Sequence, residues 1–326
     1  MSSLSVLIPA RNEEFLARTI KNVLENIEGD TEVIATLDGA WADPPIEVDD
    51  RVTVIYHPES IGQRAATNEA ARISQGDYVM KLDAHCAVDK GFDVKLMEEC
   101  GDNWIVVPRM YNLHAFNWLC PACKGHWYQG RTPEKCRAGK DQKGCGHTGA
   151  DFYRDILWRP RKSKRTDYAR IDSDLRFKYW RGYERRPESE GDITDLMCFV
   201  GACWFLKRDY YWEIDGCDER HGSWGQQGVE MACKTWLSGG RVVVNKRTWF
   251  SHMFRTQGGD FGFPYPISGG DVSRARNHSE WLWLDGNWEH SIHKFSWLLE
   301  KFWPVEGWTE KQLEEQKRRE NVRGDG

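Results

Sequence analysis

The stretch Gly76-Asp77-Tyr78-Val79-Met80-Lys81-Leu82-Asp83-Ala84-His85-Cys86 constrains this chain more than any other. Tyr78 to Leu82 read as a short buried strand, entered through Gly-Asp and ended by an acid and an imidazole two residues apart. Alternate residues share a face, so past the strand end Asp83 and His85 can turn the same way. A carboxylate beside a neutral imidazole suits Mn²⁺, Mg²⁺ or another divalent ion carrying phosphates. In open α/β sheets such sites lie at the carboxyl ends of strands. A capping Asp and a packed His would look the same in isolation, so the neighbouring elements decide.

Those neighbours alternate strand and helix. Leu4 to Ile8 is a near-continuous apolar run, as in a strand buried on both faces. Phe15, Leu16, Ile20, Val23, Leu24 and Ile27 then fall at helical spacing. Thr31 to Leu37 is a second strand, ending in Asp38-Gly39, and Arg51 to Tyr56 a third. Gly62 to Arg72 opens and carries a helix before the central strand, and Trp104 to Val107 make a fifth strand. Strands separated by helices imply an α/β, Rossmann-like, mostly parallel sheet flanked by helices.

The Gly-x-Gly-x-x-Gly of dinucleotide binders and the Gly-Lys-Ser/Thr of phosphate loops are both missing. Instead, polar residues follow successive strands: Arg11 and Glu13, then Asp38, then Arg64 at a helix start, then Asp83 and His85. Asp38 can accept from a base imide or a ribose hydroxyl, and Arg64 can pair with phosphate at a helix N-terminus. Each alone is an ordinary turn residue; their shared position is the stronger signal.

These segments resemble a known family in order and spacing. Leu7-Ile8-Pro9-Ala10-Arg11-Asn12-Glu13, Ala35 to Gly39, Gly62 to Asn68 and Leu82 to His85 resemble the nucleotide-sugar half of family 2 glycosyltransferases with a GT-A fold. The Asp-x-His form looks most like the polypeptide N-acetylgalactosaminyltransferases. The resemblance implies a nucleotide-sugar site at Pro9, Arg11, Glu13, Asp38, Arg64 and Asp83. Within it, Asp38 would face the base, Arg64 would lie near the diphosphate, and Asp83 and His85 would hold Mn²⁺ or Mg²⁺. UDP is the nucleotide by family habit.

The acceptor half recurs later in the chain. Cys198 to Leu206 reads as a strand, Trp224 to Glu230 leads into a helix from Met231 to Leu237, and Arg241 to Asn245 is a strand that leads to His252-Met253-Phe254-Arg255. The resemblance makes His252 the third metal ligand and puts Trp224, Gln227 and Glu230 at the catalytic position. Inverting family 2 enzymes place an acid in this segment. Gln226 and Gln227 stand nearest here, and an amide cannot take a proton. Glu230 is the nearest acid, either reaching Gln227 or pointing at the substrate, and retention of configuration is the expected outcome.

The resemblance does not cover the middle of the chain. Cys120, Cys123, Cys136 and Cys145 follow a C-x2-C-x12-C-x8-C pattern with His126 and His147 nearby, which fits a closed structural Zn²⁺ site of four thiolates, or of three and an imidazole. Arg154 to Arg186 holds twelve Lys/Arg against five acids, a net +7, with Trp158, Tyr179 and Trp180 among the interleaved rings. It reads as a mobile flap or as a surface for a polyanion. A hydroxymethylated DNA base is then one acceptor, with Trp158, Tyr179 or Trp180 stacking on a flipped ring; a protein or glycan hydroxyl is the other.

Composition sets the outer limits. The net charge of −5 over 326 residues gives no global pull toward nucleic acid or membrane. No run approaches 18 apolar residues, so no membrane span is expected. Ten Cys without a secretory signal point to a reducing, cytoplasmic setting. The 17 Trp divide between core packing and stacking surfaces, with Trp281, Trp283, Trp288 and Trp297 expected to pack.

The expected organisation is a nucleotide-sugar half at 1–110, a Cys-rich insertion at 111–150, a basic aromatic segment at 151–197, an acceptor and metal half at 198–256, and a lid loop with C-terminal helices at 257–326. Gln257 to Pro266 supply the lid, and Glu310 to Arg323 a solvated helical tail. The competing class is a non-catalytic, zinc-dependent nucleic-acid-binding protein on the same fold.

Overall fold

The computed structural model describes residues 2–255 and 259–322, so Gln257 and Gly258 of the expected lid lie outside the described residues. Its first half follows the sequence closely. β1 (Ser3–Ala10), α1 (Leu16–Asn26), β2 (Asp30–Asp38), β3 (Val52–His57), α2 (Gln63–Ile73) and β4 (Tyr78–Leu82) fall within a residue or two of the expected bounds. β4 is buried at every position, as a strand covered on both faces must be. Two short elements had no clear signal: β5 (Cys86–Val88) and α3 (Phe92–Glu98).

The expected four-residue fifth strand is instead β6 (Trp104–Leu119), sixteen residues long. It runs far past the sheet and pairs antiparallel with β7 (His126–Tyr128) and β8 (Tyr153–Thr166). The basic segment is therefore not a mobile flap. Its first part is a paired strand, and its second holds β9 (Ala169–Ile171) and β10 (Phe177–Tyr179), a small antiparallel pair. Its rings serve packing more than stacking. Trp158 lies against Phe15 at 5.4 Å, and Trp180 lies against Tyr183 at 4.7 Å. Both tryptophans are buried, so neither can stack on a flipped base; Tyr179 stays exposed.

The second half returns to the sheet with β11 (Ile193–Asp195), β12 (Cys203–Lys207), α4 (Arg208–Glu213), α5 (Gln227–Leu237) and β13 (Arg241–His252). β12 begins five residues later than the apolar run from Cys198 suggested, and α5 begins four residues earlier than Met231. The strand order is β11-β13-β6-β12-β4-β1-β2-β3. β3, β2, β1 and β4 are parallel, and so are β6 and β13; β12 runs against both its neighbours. The main core is continuous across both halves.

After the sheet come α6 (Gly269–Ser279), α7 (Phe295–Lys301) and α8 (Glu310–Val322). α8 is not a free tail. Leu313 and Gln316 are buried, and Gln316 donates to the Leu284 carbonyl at 2.9 Å. Trp283 and Trp288 pack inside, whereas Trp281 is partly exposed beside Arg220.

Candidate active site

The carboxyl ends of β1, β2 and β4 and the end of β13 meet around one cavity of about 340 Å³. Pro9, Arg11, Glu13, Asp38, Asp83, His85, Trp224, Gln227 and His252 all line it. Arg64 and Glu230 do not.

The centre is built by register. β13 pairs antiparallel with β5, which sets His252 opposite Cys86, and the Met253 N–H donates to the His85 carbonyl at 3.1 Å. The two imidazoles therefore meet: His85 Nε2 is 2.9 Å from His252 Nε2, and His252 Nε2 is 3.3 Å from Asp83 Oδ2. Ligand atoms of all three residues lie within 4.8 Å of one another. His85 Nδ1 sits 3.0 Å from Glu13 Oε2, which orients the ring and leaves Nε2 as the free lone pair. His252 Nδ1 is buried without a partner. Two ring nitrogens and a carboxylate oxygen that converge in this way fit a divalent cation, and two imidazoles favour Mn²⁺ over Mg²⁺.

Two buried cations complete the frame. Lys81, fully buried in β4, contacts Asp83 Oδ1 and donates to the Gly201 carbonyl at 2.7 Å. Arg255 contacts Glu13. Burial alone would raise the Asp83 carboxyl, but the Lys81 ammonium and the His252 hydrogen bond outweigh it and hold Asp83 well below the usual carboxylate range. Glu13 is also lowered: burial opposes, while His85 and Arg255 prevail. His252 is pushed down to about 4, first by burial and then by His85. Asp83 is thus ionised and His252 neutral near neutral pH, the forms in which each can bind a metal. Sequence reasoning missed Lys81, although a lysine inside Tyr-Val-Met-Lys-Leu, two residues before Asp83, is the signal.

Two expected roles are corrected. Arg64 is buried and donates from Nε to Glu230 Oε2 at 2.7 Å and from its terminal nitrogens to the Gly222 and Gly225 carbonyls. It is spent on holding the 222–225 segment and is not available to a diphosphate. Glu230 is fully buried, also accepts from the Asp218 N–H at 2.5 Å, and stands 3.6 Å from both Lys234 Nζ and His221 Nδ1. It points away from the cavity and cannot act as the base for an acceptor hydroxyl.

Other expected residues take more specific places. Arg11 faces the cavity over the Tyr265 ring at 5.6 Å and has no ion-pair partner among the described residues. Asp38 lines the wall, but its carboxylate is turned into the loop before α2, accepting from Ser60 Oγ at 2.8 Å and the Ile61 N–H at 2.5 Å. Gln227 opens α5 beside Gly201. A Cβ on Gly228 would sit 1.8 Å from the Phe199 carbonyl oxygen, so glycine there lets the helix start press against 199–201. Gln227 Oε1 is buried without a partner. Trp224 meets Phe263 edge to face at 5.6 Å, and with Tyr265 these rings close one side of the cavity. The four insertion thiols lie together elsewhere, on the projecting β6–β8 hairpin.

Comparison with known proteins agrees with this architecture. Residues 5–159 match the family model Glycosyl transferase family 2. Polypeptide N-acetylgalactosaminyltransferase 3 of Drosophila melanogaster is 22% identical over 277 residues, which span 72% of this chain and 34% of the relative. Polypeptide N-acetylgalactosaminyltransferase 13 of Homo sapiens is 20% identical over 292 residues, 87% of this chain and 41% of the relative. The chain thus spans less than half the length of these curated relatives. Among solved structures, GalNAc-T7 with UDP, GalNAc and Mn2+ superposes with a TM-score of 0.59 at 15% identity, covering 98% of this chain and 55% of that one. S. aureus TarS 1-349 in complex with UDP-GlcNAc gives 0.51 at 11% identity, covering 93% of this chain and 71% of that one. The fold is GT-A.

Proposed function

We propose that this chain is a metal-dependent glycosyltransferase that moves a sugar from a nucleotide-sugar, a UDP-sugar by preference, to an acceptor hydroxyl. The observation that carries the reading is the convergence of Asp83, His85 and His252 at the strand ends of a GT-A sheet. A divalent cation held there, Mn²⁺ or Mg²⁺, would supply positive charge for the leaving diphosphate. Every other contribution comes from the chain itself. Glu13 fixes the His85 ring and Lys81 fixes Asp83. Arg11 is the cation free to meet the diphosphate, in the role expected of Arg64. Gln227 Oε1, an unpartnered buried acceptor, is placed to take a hydroxyl proton of donor or acceptor as a hydrogen bond. Trp224, Phe263 and Tyr265 shield the cavity from water.

The described carboxylates lining the cavity, Glu13, Asp38 and Asp83, are each engaged by a cation or a loop. None is left as a general base for the acceptor, and this favours retention over inversion. None of the ten cysteines is disulfide-bonded, which suits a cytoplasmic, reducing setting. No described helix is long and apolar enough to cross a membrane.

The acceptor reading rests on the exposed edge of β8. Arg159, Lys162 and Lys164 are exposed there and have no ion-pair partner among the described residues. A row of free cations on a projecting hairpin suits a polyanion, and a hydroxymethylated DNA base is the acceptor this supports over a protein or glycan hydroxyl. The test is release of UDP from UDP-GalNAc and UDP-GlcNAc, with and without Mn²⁺, and then with DNA added. Mn²⁺-dependent release is expected. No release with any nucleotide-sugar, alongside firm DNA binding, would leave the non-catalytic binding protein.

A further inference from the structure

The hairpin carries a cluster that the transferase reading does not use. Cys120 Sγ lies 3.8 Å from Cys145 Sγ, and Cys123 Sγ lies 3.8 Å from Cys136 Sγ. All four sulfurs lie within 4.8 Å of one another. A Zn²⁺ with Zn–S bonds of about 2.3 Å at the centre of a tetrahedron has edges of about 3.8 Å. His126 and His147 are not part of the group.

The backbone is shaped for this arrangement. The Gly125 and Ala138 N–H groups donate to Cys123 Sγ at 3.4 Å and Cys136 Sγ at 3.5 Å, as donors to thiolates should. Gly144 has φ +70°, and a Cβ there would lie 2.1 Å from the Cys136 carbonyl oxygen, so the chain before Cys145 can approach only as glycine. Between Cys120 and Cys145 only Gln129, Gly130, Pro133 and Cys136 are buried. That is too little apolar burial to hold the segment, which is the usual condition of a metal knuckle. The surrounding Lys124, Lys135, Lys140 and Lys143 offset the negative charge of a four-thiolate centre.

The cluster also leads to the cavity. Cys120 and Cys136 pack in a second core with Phe116 and Phe261. The Thr132 N–H donates to Asp260 Oδ1 at 2.9 Å, and the Thr132 hydroxyl contacts Asp260 Oδ2. Asp260 and Phe261 begin the loop that brings Phe263 and Tyr265 to the cavity. We propose that Cys120, Cys123, Cys136 and Cys145 bind one Zn²⁺, and that this centre holds Thr132 in place as the anchor of the aromatic loop 259–267. The zinc claim stands on its own; the claim that loop anchoring tightens donor binding rests on the transferase reading above.

Elemental analysis of the full chain purified without added metal should give one zinc per chain. Titration with a mercurial should release it as four thiols react. Co²⁺ exchanged into the site should show the absorption of a tetrahedral thiolate complex. Zinc far below one per chain, with all four thiols reactive in the native protein, overturns the site. Two variants then test the anchor by hydrogen exchange over 259–267. Cys136→Ser should lose zinc and raise exchange there. Asp260→Ala should raise exchange there while keeping zinc, and should weaken UDP-sugar binding. Zinc loss without faster exchange over 259–267, or unchanged exchange in Asp260→Ala, refutes the anchor. A zinc-bound, loop-protected protein that releases no UDP from any nucleotide-sugar would defeat the transferase reading and leave the zinc anchor intact.

Discussion

Replacing Glu230 by Gln separates a structural acid from a catalytic one. Glu230 has no exposed surface and faces Arg64, itself buried, at 2.7 Å, with Lys234 Nζ and His221 Nδ1 both 3.6 Å away. The amide keeps the shape but removes the charge, which leaves the Arg64 guanidinium and the Lys234 ammonium buried against a neutral group. Breaking a buried pair by removing one partner costs about 3–5 kcal/mol. At roughly 2–4 °C per kcal/mol for a large domain, the melting temperature should fall by about 10 °C. Arg64→Met in the same background should recover part of the loss, since the two residues couple directly. The assay is thermal unfolding of the wild type, both single variants and the double variant, with UDP release measured on the protein still folded. A general base would behave otherwise: its loss lowers kcat by about 10²–10⁴ with little change in melting temperature. That second pattern in Glu230→Gln would refute the assignment of Glu230 to the frame.

The remaining predictions address the site and its surroundings. His85→Ala and His252→Ala should each abolish UDP release with near-normal melting temperatures, because these groups sit at strand ends facing the cavity, whereas Asp83→Ala should abolish it and also lower the melting temperature, since it leaves the buried Lys81 ammonium without its carboxylate; full activity in His252→Ala removes it from the ligand set, and indifference to chelator removes the metal requirement. Arg11→Ala should raise KM for the donor more than Asp38→Asn does, as read in steady-state kinetics. His221, fully buried between Glu230, Arg64, Asp218 and His278, is pushed down from 6.5 to about 4, chiefly by burial. The unfolded chain therefore binds this proton first, so stability is complete above pH 6.5 and declines toward pH 4 by up to about 3 kcal/mol; a melting temperature flat across that window in chelator-treated protein contradicts it. Neutralising Arg161, Lys162, Lys164 and Arg165 should weaken DNA binding and flatten its salt dependence, and equal affinity in wild type and variant would dispose of the DNA acceptor.

What was legible in the chain was what local pattern controls. Tyr78 to Leu82 became β4 without adjustment, because a short apolar run between Gly-Asp and Asp has few alternatives to a buried strand. The facing of Asp83 and His85 follows from their two-residue spacing, and the cysteine spacing already implied a metal-type cluster, of four thiols or of three and an imidazole, a choice that only the structure made. His252 could be joined to them only through its flanks, since no periodicity links positions 167 residues apart. Tertiary structure alone decided which charges are spent. Arg64 follows a strand as a phosphate-binding arginine would, yet it closes on Glu230, 166 residues away. A buried guanidinium must find its carboxylate wherever the fold brings one. The same holds for the segment from Arg154: a run of Lys and Arg carries little strand propensity, and only pairing along the sixteen residues of β6 makes it a strand and turns Trp158 inward. Sequence spacing sets which side chains share a face, whereas the long-range packing of the sheet sets which of them remain free to meet a substrate.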